Sequence, residues 1–125
     1  MKKILLFLFT LAIGATSLFA NPKHEFRASW MTTGFSIDWP KQSTAEAQKA
    51  ELQQKFDMLV SANHNAVCLQ VRSFCDALYQ SSYEPWAECL TGTRGQDPGY
   101  DPLEFAVEEA HKRGLELHVW VNPFR

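Results

Sequence analysis

The spacing of apolar and polar positions after residue 24 changes period several times, and each change marks an element. Glu25 to Thr32 (EFRASWMT) interleaves apolar, aromatic and polar residues and runs into Gly34, the pattern of a first strand opening into a loop that carries Asp38, Trp39 and Pro40. Ser43, with Glu46 three residues on, is a capping-box signature and predicts a helix from Thr44 to Ala62. Leu52, Phe56, Leu59 and Val60 recur there at helical spacing as one buried stripe, with Glu51, Gln54, Lys55 and Asp57 facing solvent. After Asn63 and Asn65, Ala66 to Arg72 (AVCLQVR) alternates as a strand. Val67, Leu69 and Val71 share one face, and Cys68, Gln70 and Arg72 the other.

From Ser73 to Tyr100 no period is visible, and that length is far above the usual strand-to-helix connection of about 2–6 residues. Its aromatic residues, Phe74, Tyr79, Tyr83 and Trp86, argue for order and for a functional role. Asp101 then offers an N-cap, Pro102 suits the first helical position, and Leu103, Ala106, Val107 and Ala110 make a buried stripe. Gly114 supplies a left-handed stop. Leu115 to Asn122 (LELHVWVN) is the third strand, with Leu117, Val119 and Val121 opposite His118, Trp120 and Asn122.

Strand, helix, strand, helix, strand predicts an α/β fold with a parallel sheet and right-handed crossovers. Both better strands carry an aliphatic face and, towards the carboxyl end of the other face, polar or aromatic groups: Gln70 and Arg72, then Trp120 and Asn122. Such groups fit the interior of a (β/α)8 barrel, whose top layer borders the active site, better than a sheet covered by helices on both sides. A flavodoxin-like arrangement competes weakly, since no Gly-rich phosphate loop follows the first strand.

Residues 1–20 need separate treatment: Lys2 and Lys3 precede an apolar run from Ile4 to Ile13 that ends in small residues up to Ala20, the build of a secretory signal peptide. The run is shorter than the roughly 20 residues of a bilayer span, so no transmembrane segment is expected once it is removed. Cleavage would leave 105 of the 125 residues, 21–125, and lower the formal charge from -2 to -4, which argues against a nucleic-acid partner. Export also means an oxidising compartment for Cys68, Cys75 and Cys89. Cys75 and Cys89 are the expected disulfide, because both lie in the long loop whereas Cys68 lies in an apolar strand. The four histidines are scattered and no spacing resembles a zinc site, so neither metal nor cofactor is expected.

The strings EFRASW, IDWP, NAVCLQVRSFCDALYQSSYEPWAECLTG and PGYDPLEFAVEEAHKRGLELHVWVNPFR together resemble the glycosyl-hydrolase-like 10 family, over essentially all of residues 25–125. The combination of QVR, DALY, EPW, LTG, PGYDPL, AHKRGLE and NPFR carries the resemblance. It implies a secreted or envelope-associated (β/α)8-barrel glycosidase, with peptidoglycan glycan strands or another polysaccharide as substrate, placed in the periplasm, the cell envelope or outside the cell. Cys75 and Cys89 depart from the family pattern, which strengthens the case for their pairing. A barrel typically needs eight strands and about 250 residues. Three strands therefore read as the N-terminal portion of one, a fragment inactive by itself.

Glycoside hydrolysis requires two carboxylates about 5 to 9.5 Å apart, and the expected pair lies on later strands, beyond residue 125. Asp38, Asp76 and Glu84 are the weaker candidates within the chain, each alternatively a loop-ordering acceptor. For substrate binding the candidates are Gln70, Arg72, Asn122 and Arg125 at strand ends, and Trp39, Tyr79 and Trp86 as stacking surfaces. Arg72 equally suits a salt bridge, Asn122 a turn cap, and the three rings a role as loop anchors. A non-catalytic carbohydrate-binding or interaction module is the alternative reading.

Overall fold

The computed structural model describes residues 25–124. Their elements are β1 (Ala28–Met31), a 3-10 turn (Gly34–Ser36), α1 (Ala45–Ser61), β2 (Ala66–Arg72), a short α2 (Glu88–Thr91), α3 (Pro102–Lys112) and β3 (Glu116–Val121). The expected leader and Arg125 lie outside the described residues, among which no helix is long and apolar enough to cross a membrane.

The strands form one parallel sheet in the order β1-β2-β3, with Trp30, Cys68 and His118 in register and an irregularity between Gln70 and Arg72. β1 is shorter than its sequence pattern because the chain before it is held by Asn65. The Asn65 side chain accepts from the Arg27 amide at 2.8 Å and donates to the Glu25 carbonyl at 2.6 Å. α1 begins one residue later than the capping box implied, since the extended residue that caps it is Thr44, whose hydroxyl accepts from the Ala47 amide at 3.4 Å. α3 follows the expected signals, with the Asp101 carboxylate accepting from the Glu104 amide at 2.9 Å and Pro102 inside the first turn. Gly114 ends it at φ 72°, a left-handed conformation that glycine takes without a side-chain clash.

The core lies between the sheet and the two long helices. Leu52 and Phe56 of α1 and Ala106 and Ala110 of α3 meet Val67, Leu69 and Val71 of β2, so both helices cover the same sheet face. The stripe on α1 continues N-terminally to the buried Gln48, whereas Val60 is exposed. On β3, Val119 and Val121 are also exposed rather than buried, because α3 reaches only the side of β3 nearest β2 and among the described residues no helix covers its outer side. The opposite sheet face carries aromatic groups: Phe26 meets His118 edge to face with centroids 5.2 Å apart, and Trp30 meets Trp120 in the same way at 5.3 Å.

The aperiodic stretch after β2 is a packed part of the fold. Leu78, Ala87 and Leu90 are core residues, a short parallel bridge joins Ala77 to Trp86, and α2 is an element the sequence pattern did not disclose.

Candidate functional site

The connections after β1 and β2 meet at the carboxyl edge of the sheet, and between them runs a cleft of about 760 Å3. Phe35, Lys41 and Gln42 line it from the first connection, and Phe74, Asp76 and Arg94 from the second. One residue fixes both walls. Gln70, buried near the end of β2, uses its side-chain carbonyl to accept from the Thr32 hydroxyl at 2.6 Å and from the amides of Thr33 and Gly34 at 3.0 and 2.9 Å. The Thr33 hydroxyl in turn donates to the Gln70 main-chain carbonyl at 3.0 Å and shares a hydrogen bond with Ser73 at 2.8 Å, stitching the two connections together.

The first connection is closed on itself. Asp38 and Trp39 donate their amides to the Thr32 carbonyl, and the Thr32 amide donates back to the Asp38 carboxylate at 2.8 Å. The Trp39 ring is 0% exposed and its indole nitrogen donates to the Gln48 carbonyl at 3.0 Å. Gln48 is itself saturated: its amide donates to the Gln42 and Leu90 carbonyls at 2.8 and 2.6 Å, and its carbonyl accepts from the Tyr100 hydroxyl at 2.8 Å. Burial pushes the Tyr100 phenol above its ordinary range.

Beside the cleft, Arg72 at the end of β2 holds Glu84 in a two-oxygen grip, with Nε at 2.7 and 2.8 Å from the carboxylate oxygens, and also donates to the Asn122 carbonyl. These bonds hold the Glu84 carboxyl below the usual carboxylate range and raise the Arg72 guanidinium above its own. Asn122 donates its amide to the Arg72 carbonyl at 3.0 Å, and its side chain bridges Trp120 to the Ser73 carbonyl. In the second connection Asp76, buried, accepts from the amides of Ser73 and Phe74 at 3.3 and 2.9 Å. Burial, followed by the charge of Asp76, pushes the Cys89 thiol up to about 12.

A glycosyl hydrolase-like 10 family model matches residues 25–124. The chain belongs to that family. It is 43% identical over 132 aligned residues, 99% of its length, to the Bacillus subtilis (strain 168) protein named glycosyl hydrolase YngK, and 39% identical over 108 residues, 79% of its length, to the Escherichia coli (strain K12) protein named glycosyl hydrolase DigH. The chain spans about a quarter of the length of these curated relatives, 26% and 25% respectively.

For this member of the glycosyl hydrolase-like 10 family, the structure redistributes the residues picked out from sequence. Trp39 is not a stacking surface, because it fills the core beneath the first connection. Tyr79 and Trp86 pack against the core as loop anchors, and neither lines the cleft. Asp38 orders its own loop, Asp76 orders the start of the second, and Glu84 is the partner of Arg72, so all three carboxylates act as acceptors that fix the connections. Gln70, Arg72 and Asn122 support the cleft from below and beside it rather than lining it. Of the expected disulfide pair, Cys75 is exposed on a left-handed turn and Cys89 is half-buried on α2, and the structure does not join them. Among the described residues no three His, Cys, Asp or Glu side chains gather as metal ligands.

The cleft residues that sequence reasoning missed include Phe35, Lys41, Gln42, Glu88 and Arg94. The one available signal was Phe35, a large apolar residue in a loop directly after Gly34.

Proposed function

We propose that this chain forms the first two βα units and the third strand of a (β/α)8-barrel glycoside hydrolase, exported by cleavage of residues 1–20, that hydrolyses glycan chains in the cell envelope or periplasm. The observation that carries the reading is a cleft at the carboxyl edge of a parallel sheet whose strands run in sequence order, with both helices on one face. That arrangement is compatible with one sector of a barrel, and barrel chemistry is done where the strands end. Trp30, Cys68 and Trp120, on the face away from the helices, correspond to interior positions of such a barrel. Membership of the glycosyl hydrolase-like family supports the chemistry.

Within this reading the chain builds one wall of the substrate groove. Glycoside hydrolysis needs an acid to protonate the leaving oxygen and a carboxylate to attack or to activate water. Asp38, Asp76 and Glu84 are committed to other partners and Glu88 is the other carboxylate lining the cleft; the acid pair is expected on later strands of the full reading frame. Among glycans, peptidoglycan strands are favoured for an exported enzyme of this family.

The test is to assay the protein encoded by the full reading frame for release of reducing ends from peptidoglycan glycan strands, with and without stem peptides, beside chitin and cellulose oligomers. Turnover of the peptidoglycan strands is expected. Retention of a glycan without release of reducing ends supports a binding module instead, and a frame whose later strands end in no Asp or Glu removes the proposed chemistry.

A further inference from the structure

Phe35 is 79% exposed at the cleft and has φ 55°, followed by Ser36 at φ 53°. Two successive left-handed non-glycine residues are uncommon, and a bulky one is strained there unless its surroundings hold it. The surroundings do so here without using the Phe35 side chain. The loop is closed by Thr32, Asp38 and Trp39 and anchored from below by Gln70. Its ring touches Phe74 edge to face, centroids 4.9 Å apart at an interplanar angle of 63°, which fixes its orientation and leaves most of its surface to solvent.

A rigid loop thus presents a large apolar ring, in a conformation unfavourable to that residue, to a cleft whose lining also includes the polar Ser36, Lys41, Gln42, Glu88 and Arg94. A flat apolar surface with hydrogen-bonding groups around its edge complements a pyranose, whose ring face is made of C–H groups and whose perimeter carries hydroxyls. The cleft volume, about 760 Å3, is also within the range of about 300–1,000 Å3 usual for small-molecule sites. Because the loop is already ordered, a sugar would stack without paying to immobilise it. We infer that Phe35, edged by Phe74, is a stacking platform for one sugar ring of the bound glycan. This rests on the glycan reading above and adds a binding residue to it.

The experiment compares the full-length protein with its Phe35→Gly and Phe35→Trp variants, measuring KM, kcat and Tm on the glycan that the wild type turns over. An aromatic contact of this kind is worth roughly three- to tenfold in affinity. Phe35→Gly is expected to raise KM by about that factor while kcat changes less, and Tm should not fall, since glycine relieves the left-handed strain. Phe35→Trp keeps a platform and should keep KM near the wild-type value. An unchanged KM in Phe35→Gly, with the wild type active, overturns this inference alone. So does a Tm lowered by several degrees in Phe35→Gly, which would mean that Phe35 packs against the remainder of the protein. A wild type that neither binds nor cleaves any glycan overturns the glycan reading, and the platform with it.

Discussion

The side-chain carbonyl of Gln70 accepts the Gly34 amide at 2.9 Å and stands only 3.3 Å from where a β-carbon on Gly34 would lie. The residue that orders the first wall of the cleft therefore leaves no spare room beside that wall. Gly34→Ala should displace the Gln70 carbonyl by a few tenths of an ångström, lower Tm and, under the proposed function, weaken glycan binding with it. Gln70→Leu removes the acceptor and strands two buried amides, and is expected to destabilise by about 2–4 kcal/mol. Urea unfolding at constant m measures it, and an unchanged midpoint would show that the loop has another acceptor.

Gln48 and Tyr100 give a second, pH-dependent test. Gln48→Leu leaves the Gln42 and Leu90 carbonyls and the Tyr100 hydroxyl without that partner, with an expected loss of about 2–3 kcal/mol. The Tyr100 phenol is raised in the folded state by burial, so its contribution is full below the ordinary phenol range and is lost as the pH climbs through the folded value. Alkaline melts should show that decline in the wild type and less of it in Tyr100→Phe. Equal alkaline slopes would remove Tyr100 as the cause.

At the acid end the relevant group is Glu109, a buried carboxylate on α3. It accepts from Lys112, Arg113 and Gln53 at 2.7, 2.6 and 3.1 Å, and the Lys112 and then the Arg113 bonds hold it down at about 2. A carboxyl depressed on folding stabilises above its unfolded value and loses that effect as the pH falls towards its folded one. Tm should therefore drop between about pH 4.5 and pH 2. Glu109→Gln should start lower at neutral pH and show a shallower acid decline; a parallel curve would place the acid sensitivity elsewhere.

The two loop cysteines should differ in reactivity. The Cys89 thiol is half-buried and held up at about 12, whereas Cys75 is exposed. Since the thiolate is the reactive form, iodoacetamide at pH 8 should modify Cys75 well before Cys89, read by mass spectrometry of the digested protein. Modification of neither until a reductant is added would instead show that the two thiols pair.

The contrast between Asp101 and Gln48 explains what the sequence discloses and what it withholds. Asp101, Pro102 and Gly114 act within a few residues of themselves, so the start and stop of α3 are readable from local chemistry, as is the alternation of β2. Gln48 bonds to Leu90 and Tyr100, and Glu109 to Gln53, across chain separations that no periodicity records. Their burial is invisible until the elements pack. For the same reason Trp39 looks like a surface ring and is a core one. The two faces of the sheet are legible from alternation, but the cleft lining is not, because Phe35 and Arg94 become neighbours of one space only where two irregular connections meet.

The connection after β2 contributes Leu78, Ala87 and Leu90 to the core, while Tyr83 at its tip is 97% exposed. It therefore has two mechanical regimes within a single stretch of chain. Length changes near Leu78 or Leu90 would unseat buried side chains, whereas at the tip the Tyr83 side chain can vary as long as Glu84 beside it keeps its hold on Arg72. Grafting a relative's loop would then be tolerated at the tip only if Glu84 is retained, and would fail when the whole connection is exchanged without its core partners on α1 and α3.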